Sequence, residues 1–519
     1  MPRNLAEEVA GARRPEPAAV SGPADRPAKS QLRTLVPPPD PSGRRLPRWL
    51  IWTGTAAIVL SYFCLLGHFP LNEPDEPRYA EIAREMIQRG DWVTPHLNYV
   101  KYFEKPPLIY WLTAANFTLF GMSELVTRLW PALFGLLGIV MTYAIGRAMY
   151  GAWTGYVGAA LLAATPLYFG LSQILILDMP LAALITVALG AFWFAQHDPR
   201  RRRRFVVLLY GATALAVLAK GPVAALLTGG IIIAFLLLRG DRAALRWVIS
   251  APGIGLFLVI VLPWFVLVSH RNPEFIDFFL VNQHLDRFLR PAEHRQPLWF
   301  FLPIVLAGML PWSACCVLAP GIMRRFFVRL MQRRLSAAAV YCVVWSAVVF
   351  VFFSLSGSKL ATYILPMFCP LAILGARFFR HVVASRHTAL LRRCGVMFLV
   401  VAGGAVLGGA ITSALVAHWR VELIVPRLYA GAAVLAAAGG LSLLLLRQAA
   451  CTGRTQRSLA VLVLGILALQ VVAISGRGVA AEYRSLGLAI RQQAGPADEV
   501  VLYHHYTQGI TYYADGAPS

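Results

Sequence analysis

Seven ionisable residues stand where a charge is costly. Asp75 and Glu76 open a helical pattern in Asn72-Glu-Pro-Asp-Glu-Pro-Arg-Tyr79. Glu104 and Lys105 precede Pro106-Pro107, so Lys105 is held at a rigid entry point and not in mid-helix. Asp178 interrupts the neutral stretch Ser172 to Pro180, and Lys220 lies in Ala219-Lys-Gly-Pro222. Lys359 precedes Tyr363 in Ser358-Lys-Leu-Ala-Thr-Tyr-Ile-Leu-Pro366. Carboxylates in such places suit proton transfer or a cationic group, and lysines suit a phosphate. Each also has a plainer reading. Asp75 and Glu76 are first-turn acids that complement a helix dipole, worth ~0.3–1 kcal/mol. Lys220 and Lys359 can snorkel to an interface, but the short carboxylate of Asp178 cannot reach far.

A second set lies in the segment 269–297: His284, Asp286, Arg287, Arg290, Glu293 and His294. The spacing of these His and acidic residues does not form a tight metal-ligand pattern, so Arg287 and Arg290 as phosphate or sugar contacts are the better reading. The seven cysteines are scattered without a CxxC pair and read as small buried hydrophobes. No phosphate-cradling glycine loop, HExxH or GxSxG stands in a fitting context.

The elements that must position these residues are membrane helices. Of 519 residues, 58% are hydrophobic and 14% charged, and the mean hydropathy is +0.61. Soluble chains carry ~25% charged residues, because polar groups must cover the outside. About thirteen stretches approach the ~20 apolar residues of a spanning helix. They lie near 48–69, 125–149, 152–170, 179–196, 205–219, 222–239, 248–268, 298–318, 337–356, 360–377, 394–416, 427–446 and 458–475. Residues 1–47, rich in Pro, Ala and Arg, read as a disordered cytoplasmic arm, and the first span as a signal anchor.

With the N-terminus placed inside, the alternating inner segments hold 31 of the 48 Lys and Arg but 7 of the 25 Asp and Glu. The outer side keeps 17 basic and 18 acidic residues. The net charge of +23 therefore reads as an orientation signal and not as a nucleic-acid surface. The run Arg200–Arg204 belongs to that signal and faces anionic lipid headgroups. The ionisable residues singled out above all fall on the outer side, which points to a site for an anionic, phosphorylated, lipid-linked substrate.

Within the first outer loop, Tyr79, Ile82, Ala83, Met86 and Ile87 share one face of a helix, with Arg78, Glu81, Arg84, Glu85 and Arg89 on the other. That pattern predicts a helix lying along the membrane surface, followed by a second amphipathic piece from Lys105 to Phe120. After the last span, Glu499 to Tyr506 reads as a strand and Gly509 to Tyr513 as the start of another unit.

At these residues the sequence resembles a known family. The strings DEPRYAEIAREM, GDWVTPHLN and YFEKPPLIYW, between Asn72 and Trp111, look like the first periplasmic loop of bacterial GT-C glycosyltransferases. Within them it most resembles the lipid A aminoarabinose transferases, relatives of the protein O-mannosyltransferases. Leu177-Asp-Met-Pro180, Ala219-Lys-Gly-Pro222, Glu293-His-Arg-Gln-Pro297 and Ser358-Lys359 extend the match over roughly 48–475.

The resemblance implies an all-α polytopic fold of about 13 transmembrane helices in the inner membrane, with N-terminus cytoplasmic and active site and C-terminus periplasmic. It implies a polyprenyl-phosphate (undecaprenyl-phosphate) sugar donor, an envelope acceptor such as lipid A, no cofactor and no metal. By the same resemblance Asp75 and Asp178 are the catalytic carboxylates, and Lys105, Arg287 and Arg290 bind the donor phosphate. Glu76, Tyr79, Glu104, Lys220, His284, Lys359 and Tyr363 line the substrate cavity. Three parts are expected: the arm 1–47, a catalytic unit 48–475 and a short periplasmic segment 476–519. The family usually carries a larger periplasmic domain after its last span, which leaves the acceptor open between lipid A, a protein and another envelope polymer. A transporter is disfavoured, since no inverted repeat is visible and the functional charges gather at one face.

Overall fold

The computed structural model describes residues 46–286, 294–385, 387–415, 419–447, 452–475, 481–493 and 507–515. Among the described residues the architecture is all-α apart from an antiparallel hairpin of two-residue strands, in which His96 pairs with Lys101 and Leu97 with Val100. Among the described residues, eight helices are long and apolar enough to cross a bilayer. A ninth span forms if Ala152–Ala163 and Pro166–Ser172, bent by 67°, are taken as one. This is a multi-pass membrane protein.

These nine correspond to nine of the thirteen expected stretches, and the other four differ for visible reasons. The helix at Arg48–Phe63 has 16 residues and that at Val223–Arg239 has 17, both short of a span on their own. Arg202–Lys220 begins with three arginines and ends on a lysine. The stretch 298–318 is split into Phe301–Gly308 and Trp312–Val317 around Pro311.

The elements that build the site are few. We label them α1 (Arg48–Phe63), α2 (Asp75–Arg89), α3 (Leu108–Phe120), α4 (Glu124–Tyr150), α5 (Ala152–Ala163), α6 (Pro166–Ser172), α7 (Asp178–His197) and α8 (Arg202–Lys220). Helix α7 is central, with 94% of its apolar window buried, so it is apolar on every side. That burial fixes Asp178, its first residue, in the middle of the bundle's end. Helix α8 runs back along α7 and stops at Gly221, whose φ of 109° only glycine adopts easily. The stop leaves Lys220 at the helix end beside Asp178.

Helix α2 is the amphipathic helix expected, but its polar face is covered. Its apolar face packs on the bundle as expected, but Glu81, Arg84 and Glu85 on its polar face are buried too. Arg84 grips Glu81 through two bonds of 2.9 and 2.6 Å, and Arg89 reaches Glu85 at 3.2 Å. The Tyr99 N–H donates to both oxygens of Glu85 at 3.2 Å, which brings the hairpin over the helix.

The other cover comes from the far end of the chain. Gln508–Asp515 is a helix packed on α2, where Tyr513 accepts the Leu71 N–H at 3.0 Å and donates to Glu124 at 3.3 Å. Gly509 N–H donates to Glu73, and Arg484 pairs with Glu124 at 3.4 Å. The expected unit at Gly509 to Tyr513 is therefore a helix folded onto the first loop. The expected strand at Glu499 to Tyr506 lies outside the described residues.

Candidate active site

The site begins with a buried ion pair one residue from its centre. Arg128, in the second turn of α4, uses all five of its N–H groups. It donates to both Glu76 oxygens at 2.8 Å and to the carbonyls of Leu66 at 2.9, Phe69 at 2.7 and Pro70 at 2.7 Å. Glu76 also accepts from the backbone N–H of Leu175 at 2.8 Å and of Asn72 at 2.7 Å, and from the Asn72 side chain at 3.0 Å. A buried pair is sustained when its remaining lone pairs and protons are satisfied in this way. The network ties the segment before α2, the start of α4 and the turn leading into Asp178 to one point. Glu76, expected in the substrate cavity, is turned into the protein and serves as a structural anchor. Its neighbour faces the other way.

Asp75 keeps 47% of its side chain exposed and lies 3.5 Å from Arg78, one helical turn on. Burial pushes its carboxyl above the usual range; Arg78 and Lys220 pull against that shift, while Asp178 and Glu104 add to it. Asp75 is thus surrounded by two acids and two cations. Asp178 is paired with Lys220, and both side chains are only 11% exposed. The pair joins the N-terminus of α7 to the C-terminus of α8, where each helix dipole favours the charge it carries. Lys220 also lies 4.3 Å from the centre of the Tyr363 ring, a cation–π contact.

On the opposite flank, Tyr102 donates to Glu104 at 3.0 Å, and the Lys105 ammonium donates to the Glu104 carbonyl at 3.1 Å. Glu104, Lys105 and Tyr363 are partly exposed. Tyr79 is buried with its ring 5.9 Å from that of Tyr110. Burial holds the Tyr79 phenol well above its ordinary pKa, so at neutral pH it keeps its proton.

Asp75, Asp178, Glu104, Lys220, Tyr79 and Tyr363 therefore gather at one place, and Lys105 stands beside them. Lys359 is used differently. Its ammonium donates to the carbonyls of Gln296 at 2.9 Å and Ser356 at 2.6 Å, and its N–H to that of His294 at 3.0 Å. Expected in the cavity, it instead pins the end of the second loop. His284 lies in the helical turn Asp277–Asp286, with its side chain outside what the structure describes. Arg287 and Arg290 lie outside the described residues altogether. Among the described residues no three of His, Cys, Asp and Glu converge as a metal set.

Two residues of the site did not stand out in the sequence. Arg78 looked like one more charge on a solvated helix face, yet it is the cation closest to Asp75. Arg128 lay inside an expected span, and a charge in that position was the available signal.

Comparisons with known proteins bear on the family and the fold. A family model described as dolichyl-phosphate-mannose-protein mannosyltransferase matches residues 52–279. The crystal structure of ArnT from Cupriavidus metallidurans bound to undecaprenyl phosphate superposes with a TM-score of 0.80 at 30% identity, covering 91% of this chain and 85% of that one. This chain belongs to the GT-C family of membrane glycosyltransferases. The undecaprenyl phosphate-alpha-4-amino-4-deoxy-L-arabinose arabinosyl transferase 2 of Sodalis glossinidius is 34% identical over 334 residues. That alignment covers 63% of this GT-C chain and 59% of the relative, so the chain spans about six-tenths of the curated relative's length. The archaeal oligosaccharyltransferase AglB of Archaeoglobus fulgidus, at a TM-score of 0.54 and 16% identity, shares the GT-C fold alone.

Proposed function

We propose that the protein transfers a sugar from a polyprenyl-phosphate donor to an envelope acceptor, with undecaprenyl-phosphate aminoarabinose as donor and lipid A as acceptor. The observation that carries this reading is the half-exposed Asp75 carboxyl set among Asp178, Glu104, Arg78 and Lys220 at one end of a membrane bundle. The similarity to arabinosyl transferases supports the choice of sugar. The residues from 48 to 475 form the catalytic unit and 476–519 a short periplasmic segment, whose helix Gln508–Asp515 braces the first loop. The N-terminus lies in the cytoplasm of a bacterial cell, and Asp75 and the C-terminus lie on the periplasmic side.

Transfer breaks the bond between the sugar's anomeric carbon and the donor phosphate oxygen, and the electron pair leaves with the phosphate. Lys105, with Arg287 and Arg290 from the second loop, takes up that growing charge without moving a proton. An acceptor phosphate on lipid A is already ionised, so it attacks directly and inverts the anomeric centre. Asp75 then stabilises positive charge developing on the sugar. Three neighbouring carboxylates also suit a sugar that carries an ammonium group. If the acceptor is a hydroxyl, Asp75 takes its proton, a role its raised pKa favours.

The test is purified protein in proteoliposomes with undecaprenyl-phosphate aminoarabinose and lipid A, read by the mass of lipid A. The expected result is one added aminoarabinose per acceptor phosphate, absent with Asp75→Asn. A second reading, transfer of mannose to protein, rests on the family model over residues 52–279. Product only from a polyprenyl-phosphate mannose and a peptide would establish it and overturn the first.

A further inference from the structure

At the far end of the bundle from Asp75 there is a cleft of about 790 Å³. That volume falls in the ~300–1,000 Å³ range of ligand sites. One wall is the broken helix through Leu306 and Met309, and another is the face of Phe368–Ala384 that carries Leu374 and Phe378. The third is the amphipathic helix Pro320–Met331, which buries none of its residues, although Phe326 and Phe327 line the cleft. Its position follows from α4: Arg128 near the start of that helix holds Glu76, whereas Tyr150 at its end holds Arg377, which lines the cleft. Twenty-seven residues at 1.5 Å each put about 40 Å between those ends, the thickness of a bilayer with its headgroups.

The charge around the cleft has one sign. Arg325, Arg329, Arg377 and His381 line it, and none of the lining residues is acidic. Arg325, Arg329 and His387 lie within electrostatic reach of His381, whose ring is 6.2 Å from that of His387. The sequence from 294 to 421 contains no Asp or Glu, so this end lacks nearby carboxylates along its own chain. Apolar walls open to the bilayer, capped by converging cations, complement an acyl chain with a phosphate at its head.

We propose that this cleft is a binding site for an anionic glycerophospholipid of the leaflet opposite the Asp75 site, with Arg325 and Arg329 as its phosphate ligands. Arg325 and Arg329 stand on a helix with no buried residues, so replacing them leaves the core packing intact.

The experiment uses the full-length protein in detergent, titrated with phosphatidylglycerol or with phosphatidylcholine of the same chains, and binding is read by native mass spectrometry. Wild-type protein is expected to retain phosphatidylglycerol at least about tenfold more tightly than phosphatidylcholine. R325A/R329A is expected to lose that preference, and R325K/R329K to keep most of it. Equal retention of the two lipids, or full preference in R325A/R329A, would overturn the proposal. Selective retention of undecaprenyl phosphate over phosphatidylglycerol, lost in R325A/R329A, would overturn the assignment to a glycerophospholipid. The protein's transferase activity enters none of these readouts, so they stand apart from the fate of the proposed function.

Discussion

The two ends of α4 use arginine in opposite ways. Near its start, Arg128 is buried and every N–H is bonded, two of them to Glu76. Beyond its other end, Arg377 donates to the Tyr150 and Ser336 hydroxyls and Arg380 to the Tyr150 carbonyl, in a region whose own chain has no carboxylate to offer. Opposite charges brought together and buried specify a geometry, because each partner has one low-energy position. Cations of one sign, left near the surface, mark a side of the membrane. On the proposed reading, the first end holds the chemistry and the second sets the orientation.

The sharpest way to break this comparison is to remove the charge at the centre of the first end. Asp75→Asn keeps the shape but loses the carboxylate, and transfer is expected to fall by about 10²–10⁴-fold. Near-normal transfer by a correctly inserted D75N protein, measured as lipid A mass, would remove Asp75 from the mechanism. Next comes the anchor. Arg128→Ala leaves Glu76 buried without its cation, which is expected to cost about 3–5 kcal/mol of stability. Thermal unfolding in detergent should show it, whereas an unchanged transition would mean that the pair is dispensable.

Much of the first end was legible in the sequence. Asp75, Asp178, Lys105 and Lys220 stood out because charge beside apolar segments needs a reason, and all four gather there. Glu76 misled because adjacent residues on a helix point about 100° apart, so two neighbouring acids need not face one cavity. The burial of the polar face of α2 was hidden for another reason. Its cover comes from Tyr99 and from Gln508–Asp515, more than 400 residues away, and helical periodicity reports only that a face is polar. Arg128 was within reach, since a guanidinium inside an apolar helix announces a partner. Lys359 looked like a cavity residue because its tether, the Gln296 and Ser356 carbonyls, leaves no mark in side-chain patterns.

Two substitutions around Asp75 are expected to move its titration in opposite directions. Its pKa is raised, so activity that needs the carboxylate is present above that pKa and lost as pH falls through it. Asp178→Asn removes a neighbour that raises the pKa and releases Lys220 from its partner, so the acid limb should move to lower pH. Arg78→Gln removes the cation that lowers it most, so the limb should move to higher pH. The pH profile of kcat/KM distinguishes this from simple damage, and limbs that move together would contradict the arrangement. A smaller effect is expected at the brace. Tyr513→Phe leaves the buried Leu71 N–H without its acceptor, at about 1–3 kcal/mol in thermal unfolding, with kcat/KM reduced only as far as the first loop loosens.

The smallest expected effect tests the other end. Arg203 and Arg204 are exposed at the start of α8, the end of that helix opposite Lys220. If they serve only to hold a side of the membrane, the double change to Gln removes two of 31 inner cations, which the remaining loops can offset. Stability should then stay within about 0.5 kcal/mol, as for surface changes away from special features. Transfer should be unchanged in the correctly inserted fraction, because among the described residues no chain of paired charges links these residues to Asp178. Insertion is read separately, by labelling of a cysteine placed in the loop. A correctly oriented R203Q/R204Q protein that had lost transfer would show that the two ends are coupled, and the division between a chemical end and an orienting end would fail.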